Sequence, residues 1–138
     1  MRFAIAALCA TTTAVNAQTI EEVLVLNPTS GVELRTVIVY PDEFTSGGSF
    51  PGVVLVPGGS GTGGNFLSNG YALSLADNGV VAIAFDPDGR GESTNGGTYT
   101  TEDFNGFIQQ DGLQAILQHV AAIPGIDPEN LGVESRSY

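Results

Sequence analysis

The chain of 138 residues is long enough for one domain at most. Its 15 acidic residues face only four arginines and no lysine, which gives a formal net charge of −11 at pH 7. Because such a surface repels phosphate backbones and anionic headgroups, nucleic acids and membranes are poor candidates as partners.

The N-terminal segment, residues 1–17, has the pattern of a secretory signal peptide. A basic second residue precedes an apolar run, residues 3–10, that is too short to span a bilayer, and small residues lead up to Gln18. We therefore expect this leader to be removed and residues 18–138 to be secreted. Since the single cysteine, Cys9, lies in the leader, the remaining chain has no thiol for a disulfide or a thiolate metal site.

Strand-like and helix-like patterns alternate along the rest of the chain. The predicted strands are residues 32–40, 52–56, 80–85 and 131–133, and the predicted helices are residues 66–78 and a longer segment that ends at Pro124. Thr100 and Asp103 form a capping box at the start of the longer helix. The alternation predicts an α/β fold with a mostly parallel sheet and crossover helices.

Nothing in the sequence covers the edge of the sheet after the last predicted strand. Only three consecutive parallel strands are present, so we expect an incomplete sheet with an unpaired edge. An unpaired edge and a small core predict poor stability for this chain alone.

The glycine-rich loop over residues 57–65 admits two functional interpretations besides a simple connector. Gly59 to Gly64 matches the G-x-G-x-x-G pattern between a strand and a helix, and Asp86 stands where a ribose-binding acid would, which favours a dinucleotide site. The expected export, the strand ahead of this unit and the weak following helix argue against it. Alternatively, backbone N–H groups around Gly58, Gly59 and Ser60 form an oxyanion loop.

The acidic loop DPDGRGES, residues 86–93, resembles the start of a calcium-binding loop. The match fails because Arg90 and Gly97 stand where an EF-hand needs ligands, so we predict neither a metal nor a cofactor.

The sequence ends in LGVESRSY, a short strand that runs into Ser135-Arg136-Ser137-Tyr138. These residues match the first four positions of the nucleophile elbow G-x-S-x-G, with Ser135 in place of the first glycine. A small side chain is what the sharp turn requires at that position. Ser137 is therefore a candidate nucleophile.

Together, PGVVLVPGGSGTGG, VVAIAFDPDGRGES and the segment from Glu102 to Tyr138 resemble the N-terminal half of an α/β-hydrolase. The resemblance is to the dienelactone-hydrolase-like and Xaa-Pro-dipeptidyl-peptidase-like branches and covers residues 32–138. It implies an α/β-hydrolase fold truncated after the nucleophile strand. It also implies a secreted serine hydrolase that acts on a small-molecule ester or peptide through an acyl-enzyme, without a cofactor.

The resemblance also assigns roles to individual residues. Ser137 would be the nucleophile, the backbone N–H of Tyr138 would be one oxyanion donor, and Gly58, Gly59 and Ser60 would form the loop that carries the other.

Hydrolases of this fold place the catalytic acid and histidine after the serine. The single histidine of this sequence, His119, precedes it on the long helix, and we expect His119, Asp111 and Glu134 to be structural. Without a base the chain alone should be nearly inactive. The alternatives left open are a dinucleotide-binding domain through Gly59 to Gly64 and a non-catalytic secreted fragment.

Overall fold

A computed structural model describes residues 18–93, 103–104 and 106–136. Five strands form one mixed sheet: β1 (Thr19–Leu26), β2 (Glu33–Tyr40), β3 (Phe50–Val56), β4 (Val81–Phe85) and β5 (Ile126–Ser135). The helices are α1 (Gly64–Ser68), α2 (Tyr71–Asp77) and α3 (Phe107–Ala121). None of these described helices is both long and apolar enough to cross a membrane.

The strands lie side by side in the order β1-β2-β4-β3-β5. β4, β3 and β5 are mutually parallel, whereas β2 runs antiparallel to both β1 and β4. The chain moves from β3 to β4 in one direction across the sheet and then from β4 back past β3 to β5. Since crossovers between parallel strands are right-handed in nearly all proteins, this reversal is expected to put the helices on opposite faces, and α3 does pack in a different core cluster from α1 and α2. The predicted α/β fold with an incomplete parallel sheet is confirmed.

Alternate residues of the central strands face two separate cores, as the period of two requires. On one face, Ile83 and Val54 pack in a cluster with Ile116 and Val120 of α3. On the other face, Leu55 packs with the short helices, in a cluster that includes buried Phe66, Ala72, Ala76, Ala82 and Ala84.

β1 is a strand that the sequence pattern does not indicate. It pairs with β2 along its whole length, from Thr19 opposite Tyr40 to Leu26 opposite Glu33. It lies at the edge of the sheet, and most of its residues are exposed, including Ile20 and Leu24. An edge strand buries too little to need a regular apolar alternation, so no alternation marks it in the sequence.

The single helix predicted over residues 66–78 is wrong, because the structure divides it into α1 and α2. Gly70 lies between them with φ 76°, a left-handed conformation that interrupts a helix. The Asn69 side chain accepts the N–H of Tyr71 at 3.0 Å and starts α2 afresh.

The long helix α3 is confirmed, although it begins at Phe107. Asp103 Oδ2 accepts the N–H of Ile108 at 2.8 Å and so satisfies one of the free amides of the first turn. Thr100, the other member of the predicted capping box, lies outside the described residues.

β5 is longer than the predicted strand and contains an irregularity. Its pairing with β3 passes from Ile126 opposite Phe50 directly to Leu131 opposite Gly52, so residues 127–130 bulge out. In this bulge Asp127 accepts hydrogen bonds from Asn130, Glu129 and Ser49, which hold the pKa of Asp127 below its ordinary value. Among the described residues β5 pairs on one side alone, as the unpaired edge predicted from the sequence requires.

Asp88 connects three parts of the fold by hydrogen bonds. Its side chain is 1% exposed and accepts hydrogen bonds from Asn27 Nδ2 at 2.9 Å and from the Ser30 hydroxyl. Its carbonyl oxygen accepts Nε2 of Gln109 in α3 at 3.1 Å. The turn between β1 and β2, the loop after β4 and the start of α3 therefore meet at Asp88, through its carboxylate and its backbone carbonyl.

The Asp88→Ala variant should be less stable by about 2–4 kcal/mol, because the buried Ser30 hydroxyl would lose its acceptor and Asn27 Nδ2 would keep only the Ile108 carbonyl. Urea unfolding of the protein measures this loss. The control is Asp42→Ala, which removes an exposed carboxylate and should change the free energy of unfolding by less than about 0.5 kcal/mol. Equal effects of the two substitutions would contradict the role given to Asp88.

Candidate functional site

The loop that follows β3 is built from backbone hydrogen bonds and glycines. Gly61 N–H bonds the carbonyl of Gly58 at 2.9 Å, and the Asn65 side chain accepts the N–H of Thr62 at 2.8 Å. Gly59 has φ 52°, a conformation that a side chain disfavours. The sequence-predicted residues Gly58, Gly59 and Ser60 thus form a tight turn at the carboxyl end of β3.

Side chains of the loop that follows β4 form hydrogen bonds to the backbone of the glycine loop. Arg90 is 5% exposed, and its Nη1 donates to the carbonyl oxygens of Pro57 at 3.2 Å and Gly61 at 3.4 Å. Asp86, which is 2% exposed, accepts the N–H of Gly63 at Oδ1 and that of Glu92 at Oδ2, each at 2.8 Å. Two buried charged side chains therefore determine the path of the glycine loop.

Gly63 and Gly91 are required by close packing between the two loops. A Cβ on Gly63 would lie 2.7 Å from the backbone nitrogen of Phe85, which is closer than real Cβ atoms approach. A Cβ on Gly91, whose φ is 54°, would collide with the Asp86 carboxylate. These glycines let one backbone approach another.

The ends of β3 and β5 lie next to each other at the carboxyl edge of the sheet. Val56 is opposite Ser135, and Arg136 N–H donates to the carbonyl of Val56 at 3.2 Å. The glycine loop therefore starts directly beside the last described residues of β5. Ser137 and Tyr138, the predicted nucleophile and oxyanion donor, follow next in the sequence and lie outside the described residues.

A cleft of about 240 Å³ opens between the glycine loop and α1. It is lined by Pro57, Gly58, Gly61, Asn65, Phe66, Asn69 and Arg136. The Arg136 guanidinium lies 4.3 Å from the ring centroid of Tyr71 and 5.6 Å from that of Phe66. The Tyr71 hydroxyl donates to Glu134 Oε2 at 2.5 Å, a hydrogen bond that raises the pKa of Tyr71.

His119, Asp111 and Glu134 are not brought together in a catalytic arrangement. His119 is exposed in the last turn of α3, at the edge where β5 begins, whereas the glycine loop lies at the opposite edge. The length of β3 separates the two edges by about 20 Å. Asp111 accepts the hydroxyl of Thr29 at 2.7 Å, and Glu134 is the partner of Tyr71.

The geometry argues against a dinucleotide site at the glycine loop and against a calcium site in the loop after β4. Both carboxylate oxygens of Asp86 accept backbone N–H groups, so they are not open to a ribose. The carboxylates of Asp86 and Asp88 face different partners. Within residues 18–93, 103–104 and 106–136, no three metal-ligating side chains converge.

Solved structures of hydrolases share this arrangement of strands and helices. GrgF, an alpha/beta hydrolase from Penicillium sp. sh18, superimposes with a TM-score of 0.61 and 19% identity over 86% of this chain and 37% of GrgF. Dipeptidyl peptidase 4 of Porphyromonas gingivalis does so with a TM-score of 0.60 and 19% identity over 86% of this chain and 17% of the peptidase. The chain has the N-terminal part of an α/β-hydrolase fold.

Two further comparisons concern an esterase and a sequence relative. Est2, a thermophilic esterase from Thermogutta terrifontis, matches the α/β-hydrolase portion with a TM-score of 0.58 and 21% identity over 83% of this chain and 39% of Est2. The uncharacterized protein YcjY of Escherichia coli (strain K12) is 28% identical over 106 residues. Those residues are 77% of this chain and 33% of YcjY, so this chain spans about a third of that curated relative. No family model matches the sequence.

Sequence reasoning about this α/β-hydrolase portion missed two features of the site. The hydrogen bonds of Arg90 to the glycine loop were not predicted, although a lone arginine between two glycines in an acidic loop was a visible signal. The contact of Arg136 with the cleft had no signal, because it depends on Tyr71 and Phe66, which lie more than sixty residues earlier.

The Gly63→Ala variant should lose about 2–4 kcal/mol of stability, since its Cβ would force the glycine loop away from Phe85. Thermal or urea unfolding measures the change. Gly47→Ala is the matched control, because a Cβ there meets no atom within 4 Å and the stability should change by less than about 0.5 kcal/mol. A Gly63→Ala variant as stable as the control would show that the loop does not depend on this contact.

Proposed function

We propose that this chain carries the nucleophile and the oxyanion loop of a serine hydrolase that cleaves a small-molecule ester or peptide through an acyl-enzyme. The observation that supports this most is the hydrogen bond of Arg136 N–H to the Val56 carbonyl, beside the start of the glycine loop. One peptide bond separates Arg136 from Ser137 in the sequence. The residue before the candidate nucleophile thus lies beside the start of the candidate oxyanion loop.

Acyl transfer at this site needs two backbone N–H groups aimed at the developing negative charge. One comes from Gly58, Gly59 or Ser60, and the other from Tyr138, as in the resemblance. Arg90 supports the proposal, because its guanidinium occupies two carbonyl oxygens of the loop. These negatively polarised atoms are then less able to repel an oxyanion. The loop is thereby preorganised before a substrate binds.

The chemical step follows the usual course of a serine hydrolase. Ser137 Oγ attacks the carbonyl carbon while its proton passes to a base, the leaving group departs with a proton, and water then hydrolyses the acyl-enzyme. His119 is not this base, given its place at the opposite edge of the sheet. Since His119 is the single histidine of the sequence, no imidazole among the described residues lies at the glycine loop.

Fluorophosphonate labelling of the protein produced from its complete reading frame tests the nucleophile. We expect Ser137→Ala to abolish labelling, whereas Ser135→Ala, which keeps a small side chain two residues earlier, should retain it. His119→Ala should label at the rate of the unchanged protein. Labelling that persists in Ser137→Ala would refute the proposal, and a loss of labelling in His119→Ala would refute the exclusion of that histidine.

Labelling and ligand-binding measurements on the same protein also test the two alternatives, a dinucleotide-binding domain and a non-catalytic secreted protein. Binding of a nicotinamide dinucleotide that is lost on substitution of Gly61 would favour a dinucleotide site, and neither labelling nor binding would favour a non-catalytic secreted protein. We regard the first as the weaker because the Asp86 carboxylate is occupied by backbone amides.

Export is also part of the proposal. We infer that residues 1–17 direct secretion and that the exported protein begins at Gln18. N-terminal sequencing of the protein recovered from outside the cytoplasm should give the sequence QTIEEV. Recovery of the intact leader in the cytoplasm would contradict this inference.

A further inference from the structure

Arg136 forms no salt bridge with the carboxylates that the structure describes, in a strongly acidic chain. The chain has 15 acidic residues and four arginines. Arg35 pairs with Glu22 at 2.8 Å, and Arg90 is buried beneath the glycine loop. Arg136 is exposed and forms no salt bridge with any carboxylate of the described residues. One side of its guanidinium contacts the Tyr71 hydroxyl, which donates to Glu134, and the rest of this exposed group can reach a ligand.

Aromatic rings hold the Arg136 side chain at the wall of the cleft. The guanidinium lies 4.3 Å from the Tyr71 centroid and 5.6 Å from that of Phe66, which is itself buried. Cation–π contacts of this kind restrain the planar group through its face. The N–H groups that do not contact the Tyr71 hydroxyl remain able to donate hydrogen bonds. A restrained guanidinium of this kind loses little side-chain entropy when it binds an anion.

The other polar groups of the cleft are hydrogen-bond donors rather than acceptors. Asn65 and Asn69 line the cleft, and their side-chain oxygens are already occupied by the N–H groups of Thr62 and Tyr71. Their amide NH₂ groups are the remaining polar atoms. The loop carbonyls of Pro57 and Gly61 are engaged by Arg90. The cleft is thus suited to an anion.

We propose that this cleft binds an acyl substrate that carries a carboxylate, and that Arg136 is the residue that selects it. The inference rests on the proposed function, because the same cleft is lined by Gly58 and Gly61 of the candidate oxyanion loop. A carboxylate can accept two parallel hydrogen bonds from the planar guanidinium, a bidentate pair. The cleft of about 240 Å³ has room for an acyl chain beside Arg136.

The test compares two esters of equal chain length with the protein from the complete reading frame. The first is the 4-nitrophenyl monoester of adipic acid, whose acyl chain ends in a carboxylate, and the second is 4-nitrophenyl hexanoate. Each reacts with one water to give 4-nitrophenol and the free acid. We expect a higher kcat/KM for the adipate ester.

Substitution of Arg136 should abolish this preference. In Arg136→Met the ratio of the two kcat/KM values should fall about 10- to 100-fold, mainly through KM for the adipate ester, since a hydrogen-bonded ion pair would be lost. Arg136→Lys, which keeps the charge without the planar fork, should retain part of the preference. Asp42→Asn changes the charge of an exposed residue that does not line the cleft and should leave the ratio unchanged. An unchanged ratio in Arg136→Met would overturn the inference.

A second measurement requires no turnover. Adipate should slow fluorophosphonate labelling of Ser137 in the unchanged protein and should do so at least about tenfold less effectively in Arg136→Met. Protection that is absent from the unchanged protein, or that inorganic phosphate provides equally well, would overturn the assignment of a carboxylate site. Absence of labelling in every form would instead reject the proposed hydrolase itself, which separates the two failures.

Discussion

Buried charge in the loop after β4 is the constraint on which the rest of the structure depends. Asp86, Asp88 and Arg90 are almost completely removed from solvent, which is unfavourable for charged groups unless each is hydrogen-bonded. Their partners are polar groups of other segments: the turn over residues 27–30, the glycine loop and α3. Loss of the turn or of the glycine loop would leave a buried charge unsatisfied, and loss of α3 would leave the Asp88 carbonyl without the Gln109 amide. Four parts of the chain are therefore held in one arrangement.

Hydrogen bonds from charged side chains are suited to fixing these segments relative to one another, because most of the segments are loops. A loop made of glycines has no side chains to bury, so apolar packing cannot hold it. Its backbone polar groups are the contacts it can offer. Asp86 and Arg90 use these groups, and the missing side chain of Gly63 lets the loop lie against Phe85. The result is a rigid backbone at the carboxyl edge of the sheet, the property that an oxyanion site requires.

Charge also distinguishes the cleft from the rest of the surface. A chain with a net charge of −11 repels small anions at long range. At physiological ionic strength that repulsion is screened beyond about 8 Å, whereas a direct contact with a guanidinium is screened far less. Selection of an anionic substrate would therefore depend on Arg136 and the neighbouring amides. The aromatic support of Tyr71 and Phe66 gives this single charge a defined position.

The sequence by itself determined the α/β class, the central strands and the long helix, because apolar runs and helical spacing report which side chains must be buried. It determined neither β1, an exposed edge strand with no apolar alternation, nor the break at Gly70, where one residue's conformation divides a helix. Tertiary structure alone decided which carbonyls Arg90 binds and which rings support Arg136. Contacts between residues distant in sequence depend on how the two crossovers place loops from different strands at one edge of the sheet. No local pattern of residues contains that information.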